Sequence, residues 1–365
     1  CYFSPYPKNF VASNVITFRV DSTLNNIKLN ANNTSLTIDS VRFLNGAELT
    51  YSHVSNLLTI NLDRTYNPSE IVDVKIYYRH NNVSDGSFYN SGSTGYIFTD
   101  AEPEGARGWF PCWDRPSDKA TVDITVKVPL SVRLGSNGRL NDSTVTGDSI
   151  WYHWISRDPV STYLTVITSK VGYNINIVYW HKISNPADSI LLRLYSPAGV
   201  NSSAIAAILP TATTYFSNAF GEHPFEKNGF CYVPNSAGFT WGGMENQTLT
   251  SLCTNCWNEN IISHEFAHQW FGDMITCGTW ADIWLNEGFA TYFELLYLID
   301  DGQISSSCEY LRPLNVTVSD ISLYNPPFER MFSGFIYNRG AWVLHMLKYT
   351  LGDSLFYKSL QQYYH

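Results

Sequence analysis

The sequence predicts a two-part chain, an antiparallel β-saddle or β-sandwich followed by an α+β domain that is mainly helical. Three observations carry this. From Val15 to about Tyr179 apolar and polar residues alternate with a period of two, and after Ile190 to Tyr195 the period becomes 3.6. The chain's 365 residues also suffice for two ordinary cores, and a hydrophobic content of 44% suits globular folding.

Taken in order, VITFRV, NIKLN, LTIDSV, LLTINL, IVDVKIYY, TVDITVKV, IWYHWI, TYLTVIT and INIVY read as short strands separated by Asn, Gly, Ser and Pro clusters. No convincing helical stretch intervenes. Thr99 to Pro116, TDAEPEGARGWFPCWDRP, is too rich in Pro, Gly and charge for a strand and reads as a loop packed down by Trp109, Phe110 and Trp113. The domain boundary is expected near Ser184 to Asp188, giving domains 1–185 and 186–365. Beyond it Asn201 is a good N-cap for SSAIAAILPTATTYFSNAF, in which Pro210 predicts a kink or break. Phe230 to Val233 reads as a strand, and the edge that follows, with Gly242 and Gly243, admits another backbone closely. Arg339 to Thr350 and Asp353 to Tyr364 are helical patterns, with Gly352 as a stop signal between them.

A formal net charge of −9 without a basic cluster argues against nucleic acid or an anionic membrane as partner; a cationic or neutral ligand is more natural. No apolar run approaches the roughly 18 residues of a transmembrane span, and the start carries no signal-peptide pattern. Charged residues are only 15% while Asn, Ser, Thr, Tyr and Trp are abundant, which points to a secreted, extracellular or periplasmic setting. Sequon triplets occur at Asn32, Asn33, Asn82, Asn141, Asn201, Asn246 and Asn315, of a kind frequent by chance in an Asn-rich chain. The chain starts at Cys1 and stops inside a helical pattern, so a fragment is expected. Its seven cysteines permit up to three disulfides, and Cys253 and Cys256 are expected to form a local disulfide or remain free thiols.

The chemistry concentrates in His264 to Glu294, HEFAHQWFGDMITCGTWADIWLNEGFATYFE. Residues four apart on a helix lie about 40° apart around the axis and roughly 6 Å along it, so His264 and His268 can both reach one zinc ion. Glu265 can take a proton from water without being a ligand, which makes it the candidate base. A catalytic zinc needs a third protein ligand, and Glu287, separated from His268 by eighteen residues, is the candidate. Glu294, seven residues further on the same helix face, is expected to orient a histidine ligand.

Together with GGMEN at Gly242 to Asn246, YNRGA at Tyr337 to Ala341 and FPCWDRP at Phe110 to Pro116, this stretch resembles the aminopeptidase N family of gluzincin zinc metallopeptidases, which includes the leukotriene-epoxide hydrolases. The resemblance implies a β-saddle domain followed by a thermolysin-like catalytic domain with one Zn2+ ion. It implies that GGMEN is a substrate-binding stretch, with Gly242 and Gly243 among the substrate-binding residues and Glu245 binding the substrate's α-amino group, and that Tyr337 stabilises the oxyanion. TDAEPEGAR resembles the family's TQxExxxAR segment, which makes Glu102 a second contact to the amine. Asp100 stands where glutamine is usual, Arg115 where FPCFDEP has Glu, and Arg339 where YEKGA has Lys. The first β-strand and the C-terminal domains of the family are expected to be missing.

The expected function is hydrolysis of the N-terminal residue from peptides with a free N-terminus. Glu265 serves as base and then acid, with His264, His268 and Glu287 on the metal. The alternatives are an epoxide hydrolase on the same frame and a non-catalytic binding protein that keeps the fold.

Overall fold

The computed structural model describes residues 10–312 and 321–364; Cys1 and the sequon residue Asn315 lie outside the described residues. The first strands are β1 (Val11–Arg19), β2 (Leu24–Asn30), β3 (Leu36–Phe43), β4 (Tyr51–Val54), β5 (Leu57–Tyr66) and β6 (Ile71–His80). They pair antiparallel in the orders β1-β6-β3 and β2-β5-β4. In β6 the alternation is plain: Val72, Val74, Ile76 and Tyr78 are buried, as the two-residue period of a strand with one face on the core requires.

There follow β7 (Phe88–Ser91), β8 (Tyr96–Thr99), β9 (Lys119–Pro129), β10 (Val132–Ser136), β11 (Arg139–Thr146), β12 (Ser149–Ser161) and β13 (Ile167–Val171). These form antiparallel sheets β10-β13-β8-β7 and β11-β12-β9. Sequence alternation misses β8 because all four of its residues are buried, and β11 because its outward side chains are polar and mostly exposed. The expected strand TYLTVIT is a 3-10 turn at Thr162–Leu164 before it becomes β13.

The second half opens with the hairpin β14 (Asn174–His181) and β15 (Ser189–Ser196), followed by α1 (Ser203–Phe220), β16 (Lys227–Tyr232), β17 (Gly243–Met244) and β18 (Thr250–Leu252). All five strands share one mixed sheet in the order β14-β15-β16-β18-β17, with β15–β16 and β16–β18 parallel. The boundary expected at Ser184 to Asp188 therefore lies in the turn of a hairpin, inside one sheet; by sheet membership the division falls at Gly172, between β13 and β14. The helices α2 (Glu259–Ala267), α3 (Ile283–Asp300), α4 (Ser307–Leu311), α5 (Gly334–Leu351) and α6 (Asp353–Tyr364) complete the described chain. None of the described helices is long and apolar enough to cross a membrane.

Two local expectations change. Helix α1 runs unbroken through Pro210, because Ile205, Leu209, Ala212, Phe216 and Phe220 bury one continuous face on both sides of it. That burial outweighs the roughly 3 kcal/mol a mid-helix proline costs. The cap position is Ser202, while the Asn201 side chain accepts the Ser203 N–H at 2.9 Å. Among the described residues Cys253–Cys256 is the one disulfide, and Cys112, Cys231, Cys277 and Cys308 are free. Asn246 is wholly buried, so its sequon offers no glycan site in the folded protein.

The aromatic core fixes the helices that matter for function. Phe216 and Phe220 of α1 pack on Phe266 of α2, on Trp270 and Phe271 just beyond it, and on Phe293 of α3. Helices α3 and α5 cross at Gly288 and Gly340, where a Cβ on either residue would come within 2.7 Å of the other's backbone. That close approach places Tyr337, one turn before Gly340, beside Glu287. Gly340→Ala is expected to destabilise the protein by about 1–3 kcal/mol through overpacking. A thermal unfolding midpoint equal to the parent's would show that the crossing tolerates a methyl group.

Candidate active site

His264 lies in the last turn of α2 and His268 at its C-terminal cap, still in helical conformation, so the four-residue spacing holds both rings on one side. Each ring is tethered through Nδ1. That of His264 meets Glu294 Oε2 at 3.2 Å, and that of His268 meets the Phe271 carbonyl at 3.1 Å. A tethered Nδ1 turns each Nε2 inward, where Glu287 Oε2 stands 3.6 Å from His264 and 3.4 Å from His268. Donors about 2.0–2.1 Å from a tetrahedral zinc are about 3.3 Å apart, so these three side chains fit the ion and leave one position open. Burial works to raise the Glu287 carboxyl, but the two imidazoles overcome it and hold the group down at about 2.

Glu265 is buried, and burial raises its carboxyl against the pull of both histidines. Opposite it runs β17. A Cβ on Gly243 would overlap the Glu265 carboxylate, so this strand passes where only glycine fits. Met244 and Glu245 continue the strand edge, and one carboxylate oxygen from each of Glu245 and Glu265 and a ring nitrogen of His268 lie within 4.8 Å of one another. The same limit encloses Glu102, Glu245 and Glu287. Glu102 and Glu245 each have one buried oxygen without a hydrogen-bond partner, and burial raises both carboxyls, most strongly that of Glu102 beside Glu245. Paired carboxylates that each bury an unpartnered oxygen suit a cation.

Glu102 arrives from the N-terminal half on a loop that is stapled rather than loose. The Asp114 carboxylate of FPCWDRP accepts from Arg107 Nε at 2.8 Å and from the Arg107 N–H at 3.1 Å, and Thr162 donates to its other oxygen at 3.0 Å. This staple adds to the expected packing by aromatics, which holds for Trp109, buried, and Phe110, partly buried, but not for Trp113, which is 45% exposed. Asp100, in the place of the usual glutamine, is buried, pushed up to about 7 by that burial, and accepts the Glu102 N–H at 3.4 Å.

Tyr337 stacks on His264, ring centroids 6.1 Å apart and planes 23° apart. Tyr337 also packs against the small apolar cluster that contains Phe335, while Phe332 is on the surface. Sequence reasoning passed over Asn286, whose amide donates to the Tyr163 hydroxyl at 3.2 Å and whose Oδ1 accepts the Cys277 N–H. It also passed over Gln269, which no spacing rule singles out.

Family models decide the affiliation: that of the peptidase M1 N-terminal domain matches residues 2–164, and that of the peptidase family M1 domain matches residues 206–365. The chain belongs to the peptidase M1 family. Aminopeptidase M1 of Arabidopsis thaliana is 30% identical over 325 residues, covering 80% of this chain and 35% of that protein. The chain thus spans about a third of the length of the curated relatives it matches. An M1 zinc metallopeptidase from Deinococcus radiodurans superposes with a TM-score of 0.87 at 25% identity, covering all of this chain and 83% of that one. A mutant of that M1 zinc metallopeptidase, bound to a Tyr-Ser-Ala substrate, superposes with a TM-score of 0.85 at 26% identity, covering 100% of this chain and 84% of that one.

Because the Glu294 carboxylate meets His264 Nδ1, Glu294→Ala in this M1 chain is expected to weaken zinc binding by about 10–100-fold. Competition against a chelator of known affinity measures it, and an unchanged affinity removes the role.

Proposed function

We propose that the protein carrying this chain is a zinc-dependent aminopeptidase that removes the N-terminal residue from peptides. The observation that carries the reading is the adjacency of two sites: a His264, His268, Glu287 donor set and, sharing Glu287, the carboxylates of buried Glu245 and partly buried Glu102, each with one buried unpartnered oxygen. A peptide whose α-ammonium is held by Glu245 and Glu102 has its first carbonyl a fixed two bonds away, which sets where the chain is cut. The Tyr-Ser-Ala substrate of the M1 zinc metallopeptidase neighbour, a peptide of three residues, is consistent with this class.

When bound by the three ligands, zinc supplies a Lewis acid and lowers the pKa of water to about 7. Glu265, pressed against Gly243 and facing the same space, takes a proton from the attacking water and hands it to the departing amine nitrogen. Glu294 and the Phe271 carbonyl keep the two imidazoles turned inward throughout. Tyr337 donates its hydroxyl proton as a hydrogen bond to the oxyanion. Burial raises its pKa well above the usual range, so it remains a donor at neutral pH.

Tyr337→Phe is therefore expected to lower kcat by about 10²–10³-fold with little change in KM, the pattern for a donor aimed at charge that exists only in the transition state. A lowered melting point with normal kcat would make it a packing residue instead. The function itself is tested by metal analysis together with turnover of aminoacyl anilides. The expected result is one zinc per chain and activity that chelation removes and zinc restores; full activity in a metal-free preparation would overturn the reading.

A further inference from the structure

We propose that Gln269 is a positioning residue for amine recognition, holding Glu245 at a set height over the metal ligands; this rests on the reading of Glu245 given above. Gln269 follows His268 directly and is fully buried. Its side-chain amide spans both ends of the turn after β17: Nε2 donates to the Glu245 carbonyl at 3.2 Å, and Oε1 accepts the Thr248 N–H at 3.0 Å. Only an amide of that length supplies donor and acceptor together. The link is thus a short strut from a metal ligand to the backbone of the amine-binding carboxylate.

The turn needs holding. Thr248 has a φ of 69°, a region a β-branched residue occupies only when its surroundings impose it. The N-terminal half grips the turn from the other side, with Asn137 Nδ2 donating to the Gln247 carbonyl and the Gly138 N–H donating to Thr248 Oγ1, both at 2.8 Å. At the other end of the same residue, Glu245 Oε1 has no hydrogen-bond partner. The carboxylate's place is accordingly set through its backbone, and a shift of about 1 Å in such an anchor can cost about 10²-fold in rate.

The test places Gln269→Met, which keeps length and removes both hydrogen bonds, and Gln269→Asn, which keeps the amide and shortens its reach, in the parent and in Glu245→Ala. Zinc content, melting point, and kcat/KM on a free-amine aminoacyl anilide are measured for each. Gln269→Met is expected to keep its zinc and lose about 10-fold or more in kcat/KM in the parent, with Gln269→Asn in between, and to add less than about 2-fold in Glu245→Ala, since the two act as one unit. Equal losses in both backgrounds, or zinc-loaded Gln269 variants with parental kcat/KM, overturn the positioning role alone. An acetylated anilide separates this from the underlying reading: if Glu245→Ala still prefers the free amine, both fall.

Discussion

Glu265→Gln is expected to keep its zinc and lose about 10²–10⁴-fold in kcat, the range that general acid and base work contributes. The amide has the shape of the carboxylate, so it still fits against Gly243 and leaves the donor set of His264, His268 and Glu287 untouched. It cannot accept a proton. Because the same group would take the proton from water and return it to the leaving nitrogen, both steps suffer together. Metal analysis of the variant separates the roles: loss of zinc would make Glu265 a ligand, and normal turnover would move the base elsewhere.

Glu245→Ala is expected to lower kcat/KM on free-amine substrates by about 10²-fold or more, and Glu102→Ala to do less. Removing Glu245 takes away the cation's partner and lets the scissile carbonyl drift from the metal ligands. In the parent, an acetylated N-terminus brings no cation and leaves the unpartnered buried oxygens of Glu245 and Glu102 uncompensated, a cost of several kcal/mol that should stop turnover. The ratio of rates on a free and a blocked anilide reads this directly, and a ratio preserved in Glu245→Ala removes that residue from amine binding.

The part of this site that sequence reveals is the part built from local spacing. His264 and His268 share a helix face by periodicity alone, and Glu287 and Glu294 lie seven residues apart on one helix, so four side chains can be assigned before any fold is known. Glu245, Glu102 and Tyr337 carry no such signal and were reached only through the family resemblance. What remained hidden depends on contacts far apart in the chain: Gln269 with Thr248, Asn286 with Tyr163, Gly288 with Gly340. The same limit explains the fold. Strand β14 has the right period, but periodicity does not say which sheet a strand joins, and it pairs with β15 of the second sheet. Pro210 misses for the opposite reason, since local preference there is overruled by a buried helix face.

The central claim is that one metal centre and one amine receptor together cut a single residue from a free N-terminus. Mass spectrometry of the products from one peptide and its acetylated twin, with and without chelator, tests it most directly. The account predicts stepwise loss of single residues from the free peptide, none from the acetylated one, and neither in chelator. Internal cleavage, or removal of the acetylated residue at a comparable rate, would contradict it.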